Sequence, residues 1–288
     1  MSKETDEVGR RAARQVSRSE PLASEDHQVG RAEAGARARA ISEREGPAEL
    51  PMLELAGLTK RFGGVVAVDA VSLAVGAGEV VALVGHNGAG KSTLVELLSG
   101  ALPRDAGEVC VNGRVVALRS PRDAQLAGIA TLHQHLALAD NLDATANVFL
   151  GHELRTRLGL LDEPAMEREA RALLDRFSPG FAALREPVSL LSGGERQLVA
   201  IARALRLEAK VLLMDEPTAA LGPGERGRVV DLVQRLVAER LAILLVSHDL
   251  ETALAVARRV AVMRRGRLVA VRASAQLDAA SLAALVVG

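Results

Sequence analysis

Cysteine is nearly absent. The single Cys110 excludes an internal disulfide framework and leaves nothing of a cysteine-based zinc site, which fits a reducing compartment; its residue type reads as a small buried hydrophobe. Net charge is absent too. Thirty-six Lys and Arg balance 36 Asp and Glu, so no broad positive face is expected to attract nucleic-acid phosphates. No run approaches the ~18 consecutive apolar residues of a membrane span, and the N-terminus lacks the apolar segment of a secretory signal. The Arg10-Arg11 pair is followed by a polar stretch over 12–20 and so does not read as a twin-arginine export signal. Any contact with a membrane is therefore expected to run through a partner. Trp and Tyr are missing and Phe occurs only four times.

What is present is enough apolar material for a large core. With 288 residues, 49% of them hydrophobic, the chain can bury one core, or a core plus a smaller subdomain. Residues 1–50 are rich in Arg, Glu, Ala and Ser and lack the large apolar side chains that could offset the entropy of ordering. They read as a disordered extension, either a partner-binding tail or the product of a start codon placed too early, and a short helix over 31–44 would not alter that. From Met52 the pattern changes. Met52 to Leu58, Val65 to Val75 and Glu79 to Val84 read as strands broken by Gly76, Gly78 and Gly85. Glu108 to Val111 and Arg114 to Leu118 read as a hairpin, because Asn112-Gly113 supplies the positive φ values of a two-residue turn. Between about 134 and 187 the reading is helical, with Met166, Ala170, Leu173, Leu174 and Phe177 on one face and Asp162 and Pro164 at the start. Buried-strand character returns at Val211 to Met214, Ile243 to Val246 and Val260 to Met263, with a helical stripe of Val229, Leu232, Val233 and Leu236 between them. Strands alternating with helices predict a parallel sheet, hence an α/β core with antiparallel decoration and an inserted helical subdomain.

The chemistry concentrates at three places. Gly85-His86-Asn87-Gly88-Ala89-Gly90-Lys91-Ser92-Thr93 follows a strand and opens a helix, the context a phosphate-binding loop requires. Its glycines let the backbone N–H groups turn inward around a phosphate chain, and the helix N-terminus adds partial positive charge. Lys91 is expected to reach the β- and γ-phosphates and Ser92 to ligate Mg²⁺. His86 has no evident partner and reads as a variable loop residue. Val211 to Asp215-Glu216 is an apolar strand ending in two carboxylates, as at the ligand edge of a parallel sheet. Asp215 would position Mg²⁺ through water and Glu216 would polarise the attacking water. In Leu191-Ser192-Gly193-Gly194-Glu195-Arg196-Gln197, Ser192 and Glu195 form a capping box, yet two glycines in a first turn cost about 1 kcal/mol each against alanine. Bare backbone there suits a closely approaching phosphate.

This ordered set, with His248 downstream, resembles the ATP-binding cassette (ABC) ATPases over about Met52 to Gly288. The resemblance implies a P-loop NTPase, RecA-like core, and a head-to-tail dimer of two copies in which Ser192, Gly193 and Gly194 of one close over ATP on the loop of the other. A lone chain would then be a poor ATPase. Carried over position by position, Phe62 in Lys60-Arg61-Phe62-Gly63 matches the aromatic that stacks on adenine, and the glycine after it favours an exposed turn. Gln134 matches the glutamine that approaches Mg²⁺ and the water, and His248 the switch histidine at the γ-phosphate. His133 and His135 show no metal spacing. One departure stands out: where the family usually reads Ser-Ala-Leu-Asp, this chain has Ala219-Ala220-Leu221-Gly222. The aspartate that helps couple the two sites is missing, while hydrolysis is expected to survive.

Two classes of machine compete, a transporter motor and a soluble ABC ATPase acting on ribosomes or DNA. The length and balanced charge favour the first. Segments 120–124, 128–134 and 141–151 are similar to bacterial monosaccharide importers, and Leu58-Thr59-Lys60-Arg61-Phe62-Gly63-Gly64 shows a shorter resemblance to branched-chain amino-acid importers. The resemblance implies an integral membrane permease, an extracytoplasmic solute-binding protein acting through it, no nucleic acid, and a peripheral location on the cytoplasmic face of the inner membrane. About 40 residues after His248, no sizeable C-terminal regulatory domain is expected.

Overall fold

The structure, a computed structural model, describes residues 50–133, 136–218 and 223–288. The readings for the extension up to residue 49, for Gln134 and His135, and for Ala219-Ala220-Leu221-Gly222 lie outside the described residues. Two sheets organise the rest. The first is antiparallel, order β2-β1-β4-β5, built from β1 (Leu53–Phe62), β2 (Val65–Val75), β4 (Ala106–Val111) and β5 (Arg114–Val116). The β4–β5 turn is Asn112-Gly113, with φ of 49° and 73°, the left-handed pair that this dipeptide accepts at low cost.

The second sheet has the order β10-β9-β3-β8-β7-β6, from β3 (Val80–Val84), β6 (Ile129–Leu132), β7 (Val211–Asp215), β8 (Ala242–Val246), β9 (Arg259–Arg264) and β10 (Arg267–Ala273). Its strands are parallel except for β10, which returns antiparallel along β9. Both faces are covered, which is why these strands read as unbroken apolar runs. Val81 and Leu83 face one core, shared with the antiparallel sheet and with α1 (Lys91–Leu98). Val80, Ala82 and Val84 face the other, against α6 (Pro223–Ala238), α7 (Leu250–Val256) and α8 (Ala279–Val287). The predicted strand start at Glu79 is one residue early. Glu79 turns instead to accept the Gly76 N–H at 2.7 Å and the Arg259 guanidinium at 2.6 Å, which ties the head of β3 to β9.

A third, smaller core lies among α3 (Ala144–Phe149), α4 (Glu163–Asp175) and α5 (Gly193–Arg206); α2 (Pro121–Leu126) leads into β6. Asp162 caps α4 by accepting the Ala165 N–H at 3.1 Å, and Pro164 occupies the first turn, where its missing N–H costs nothing. Met166, Ala170 and Leu174 are buried as their spacing predicts, but Phe177 is not on that stripe. The helix ends at Asp175, and Phe177 packs into the sheet core beside Ile201 and Leu232. The stretch between α3 and α4 is not helical either, and carries an Arg155–Leu161 bridge. The small core continues beyond residue 187 through Leu191, Val199 and Ala202. No described helix is long and apolar enough to cross a membrane.

Candidate active site

The parallel strands present their C-terminal ends along one edge, where the segments after β3, β7 and β8 and the β9–β10 turn meet. After β3 the chain runs through Gly85–Gly90 into α1. Gly90 caps α1 with φ of 103° and no side-chain hydrogen bond, leaving the helix N-terminus bare. A Cβ on Gly90 would lie 2.2 Å from the Ala67 carbonyl oxygen, so glycine is required by packing as well as by conformation. The loop closes on itself through Ala89 N–H donating to the His86 carbonyl at 3.1 Å. The Lys91 ammonium is folded inward, donating to the carbonyls of Gly85 at 2.7 Å and His86 at 3.0 Å. Burial lowers its pKa, while the carboxylates of Glu216 and Asp215 oppose that shift.

Those carboxylates end β7. Burial raises the Asp215 pKa, with Glu216 beside it adding to the shift, while His133 and Lys91 draw it back. Glu216 is held in a left-handed conformation, φ 52°, with its N–H donating to the Val246 carbonyl at 2.9 Å. That bend carries its side chain to the segment after β8, where Glu216 Oε1 lies 2.5 Å from His248 Nε2. Ser247 shapes the turn, accepting the Asp249 N–H at 3.0 Å, and Asp249 in turn caps α7 through the Thr252 N–H. A cleft of about 580 Å³ joins these groups: Asn87, Gly88, Gly90, Lys91, Ser92 and Thr93 from the loop and helix, with Glu216 and His248 opposite.

Phe62 ends β1, half exposed, with the Lys60 ammonium 5.5 Å from its ring centre. It pairs across the hairpin with Val65, and Val65 rather than Phe62 lines the cleft. Ser192, Gly193 and Gly194 are not brought to the loop. Ser192 and Gly194 line a separate groove of about 470 Å³ beside α6. The capping box is complete, with Ser192 Oγ accepting the Glu195 N–H at 3.3 Å and the Glu195 carboxylate accepting the Ser192 N–H at 2.9 Å. A Cβ on Gly194 would meet nothing within 4 Å, so no contact among the described residues demands a glycine there. Arg265 and Gly266, in the β9–β10 turn, also line the cleft. Apart from a glycine after a buried strand, nothing in the residue pattern marks that pair chemically.

The ABC transporter family model matches residues 68–219, more than half of the chain. The chain belongs to the ABC transporter family. Among curated ABC relatives, the ribose import ATP-binding protein RbsA of Jannaschia sp. (strain CCS1) is 44% identical over 242 residues, covering 84% of this chain and 47% of that protein. Ribose import ATP-binding protein RbsA 1 of Rubrobacter xylanophilus is 45% identical over 238 residues, covering 83% and 47%. The chain thus spans about half the length of the curated relatives it matches. A crystal structure of an ATP-binding cassette of an ABC transporter in its ADP conformation superposes with a TM-score of 0.72 at 26% identity, over 83% of this chain and 99% of that one.

Proposed function

We propose that this chain binds and hydrolyses ATP as the cassette subunit of an ABC importer for a monosaccharide, working through a separate membrane permease. The observation that carries the hydrolytic part is the single cleft shared by the Lys91 loop and the Glu216–His248 pair. The import part rests on the ribose import proteins at 44% and 45% identity. Residues 51–288 form the cassette in this reading, with 134–187 as the inserted helical subdomain that meets the permease at the cytoplasmic face of the inner membrane. The solute-binding protein acts from the other side.

The chemistry follows from the cleft. The bare N–H groups of the loop and of α1 bind the phosphate chain, and Lys91 exchanges its two carbonyl partners for phosphate oxygens. Glu216 accepts a hydrogen bond from the attacking water and directs its lone pair at the γ-phosphorus; the bond between that phosphorus and the β–γ bridging oxygen breaks, leaving ADP and phosphate. His248 Nε2, against Glu216 Oε1 and lining the same cleft, would contact the γ-phosphate. Ser92 and Asp215 carry hard oxygen donors of the kind Mg²⁺ prefers and would hold that ion beside the phosphates. When bound, that ion neutralises phosphate charge. Gln134 is assigned beside it on family position. Because Ser192 and Gly194 line a different groove from the loop, the γ-phosphate is closed over by Ser192–Gly194 of a second copy, and Phe62 stacks on the adenine. Glu216→Gln should lower turnover by about 10²–10³-fold while ATP binding persists, giving an ATP-dependent dimer on sizing. Full turnover in that variant would remove Glu216 from the chemistry. In vesicles carrying the permease and binding protein, stimulation of ATPase activity by a sugar is the expected result, and no response to any sugar would overturn the cargo.

A further inference from the structure

The cleft has a further charged wall that the mechanism above leaves idle. The turn between β9 and β10 is Arg265-Gly266, with φ of 48° and 83°; the β4–β5 turn Asn112-Gly113 has 49° and 73°. Both turns therefore place two successive residues in the left-handed region. That backbone selects Asn, Asp or Gly at the first position, and the β4–β5 turn has Asn there. The β9–β10 turn has arginine, whose stem gains nothing from a left-handed conformation. Local backbone does not explain Arg265.

Its surroundings do. The turn is fixed to the frame of the site by two backbone hydrogen bonds, Gly266 N–H to the Ala89 carbonyl at 2.9 Å and Asp69 N–H to the Gly266 carbonyl at 2.8 Å. Ala89 belongs to the phosphate loop, so Arg265 is held in a set position relative to Lys91 and lines the same cleft. Arg267, two residues on, is occupied by the Asp69 carboxylate at 2.6 Å. Arg265 is exposed and has no ion pair or hydrogen bond among the described residues. Strand order fixes its direction of approach. The loop leaves β3, His248 and Glu216 follow β8 and β7 on one side of it, and Arg265 follows β9 on the other.

We propose that Arg265 is a nucleotide-binding residue: its guanidinium contacts the α-phosphate end of the bound nucleotide, away from the hydrolytic end, and sets the affinity for ATP and ADP alike. The inference rests on the reading of this cleft as an ATP site. A charge-assisted contact of this kind gives a phosphate-directed arginine its purpose at a turn position that disfavours it.

The test uses the full chain, titrated with ATP and with ADP, as wild type and as Arg265→Asn and Arg265→Lys. Asparagine suits the turn, so Arg265→Asn should melt at or above the wild-type temperature while its Kd for both nucleotides rises about tenfold, 1.4 kcal/mol. Arg265→Lys should recover part of the loss. Unchanged binding in Arg265→Asn, with a wild type that binds, overturns the role of Arg265 alone. A loss confined to ATP overturns the placement at the α-phosphate end. A wild-type chain that binds neither nucleotide overturns the ATP-site reading itself.

Discussion

Within the loop between β3 and α1, Gly88 and Gly90 both have positive φ, 77° and 103°, but only one is hemmed in. A Cβ at 88 meets nothing within 4 Å, whereas at 90 it lies 2.2 Å from the Ala67 carbonyl oxygen and 2.8 Å from Met263 Cε. Gly88→Ala should therefore cost only its conformational strain, about 1 kcal/mol. Gly90→Ala should cost about 3 kcal/mol, because a backbone carbonyl must also move. Urea unfolding of the two variants checks the order, and equal losses would mean that β2 yields freely at Ala67. The loop itself was legible, since strand, glycines, Lys91 and helix are contiguous in the chain. The contact between Gly90 and β2 was not, because it joins residues whose approach is set by how the antiparallel sheet packs on α1. Arg265 was hidden for the same reason: its significance comes from Ala89, and only the folded sheet brings the two together.

At the scale of elements, the outer end of β1 is held by one carboxylate. Asp105 accepts the Arg61 N–H at 2.7 Å and the Lys60 ammonium at 3.1 Å, and its own N–H donates to the Thr59 carbonyl at 3.0 Å. These bonds, the Arg61 N–H foremost, hold the Asp105 pKa below its usual value. A folded-state pKa below the unfolded one means that the unfolded chain binds more protons in that window, so stability rises with pH there. The contribution of Asp105 is thus complete above about pH 3.9 and is lost as pH falls through the depressed folded value. Asp105→Asn should reduce stability slightly at pH 7 and converge with wild type in acid; a constant difference across the pH range would contradict the assignment. Because Phe62 follows directly on this clamp, the variant also reports on how firmly the proposed adenine platform is held. Strands β3, β7, β8 and β9 were legible as apolar runs because both of their faces are buried. β6 spans only four residues, and β10 alternates partly buried with exposed residues along one edge of the sheet. Phe177 continued the α4 period in sequence, but the helix ended first and the larger core took the side chain.

For the molecule as a whole, the separation of Ser192–Gly194 from the loop predicts complementation. Lys91→Ala disables the loop of its own copy, and Gly194→Asp disables the face that would cover a partner's loop, each leaving a homodimer without a working site. Mixed together they should recover ATPase activity that neither has alone, since a mixed pair contains one intact site. Activity retained by Gly194→Asp alone, unchanged on mixing, would mean that each chain hydrolyses ATP by itself. The halves of such a site were legible as motifs. Their separation within one chain was legible only through the family resemblance, because spacing along a sequence does not say which groups share a cleft.

The position of β3 carries one more consequence. Its hydrogen-bonded neighbours in the sheet are β8 and β9, residues 242–246 and 259–264. As the chain is synthesised, the segment 85–93 thus emerges long before the strands that will flank it, and the fixing contact from Gly266 comes later still. Such long-range pairing is slow and leaves apolar strands uncovered meanwhile. On the ATP-site reading proposed above, nucleotide capture accordingly waits on residues 242–266, and a ribosome stalled before residue 242 would display the loop sequence with no pocket around it.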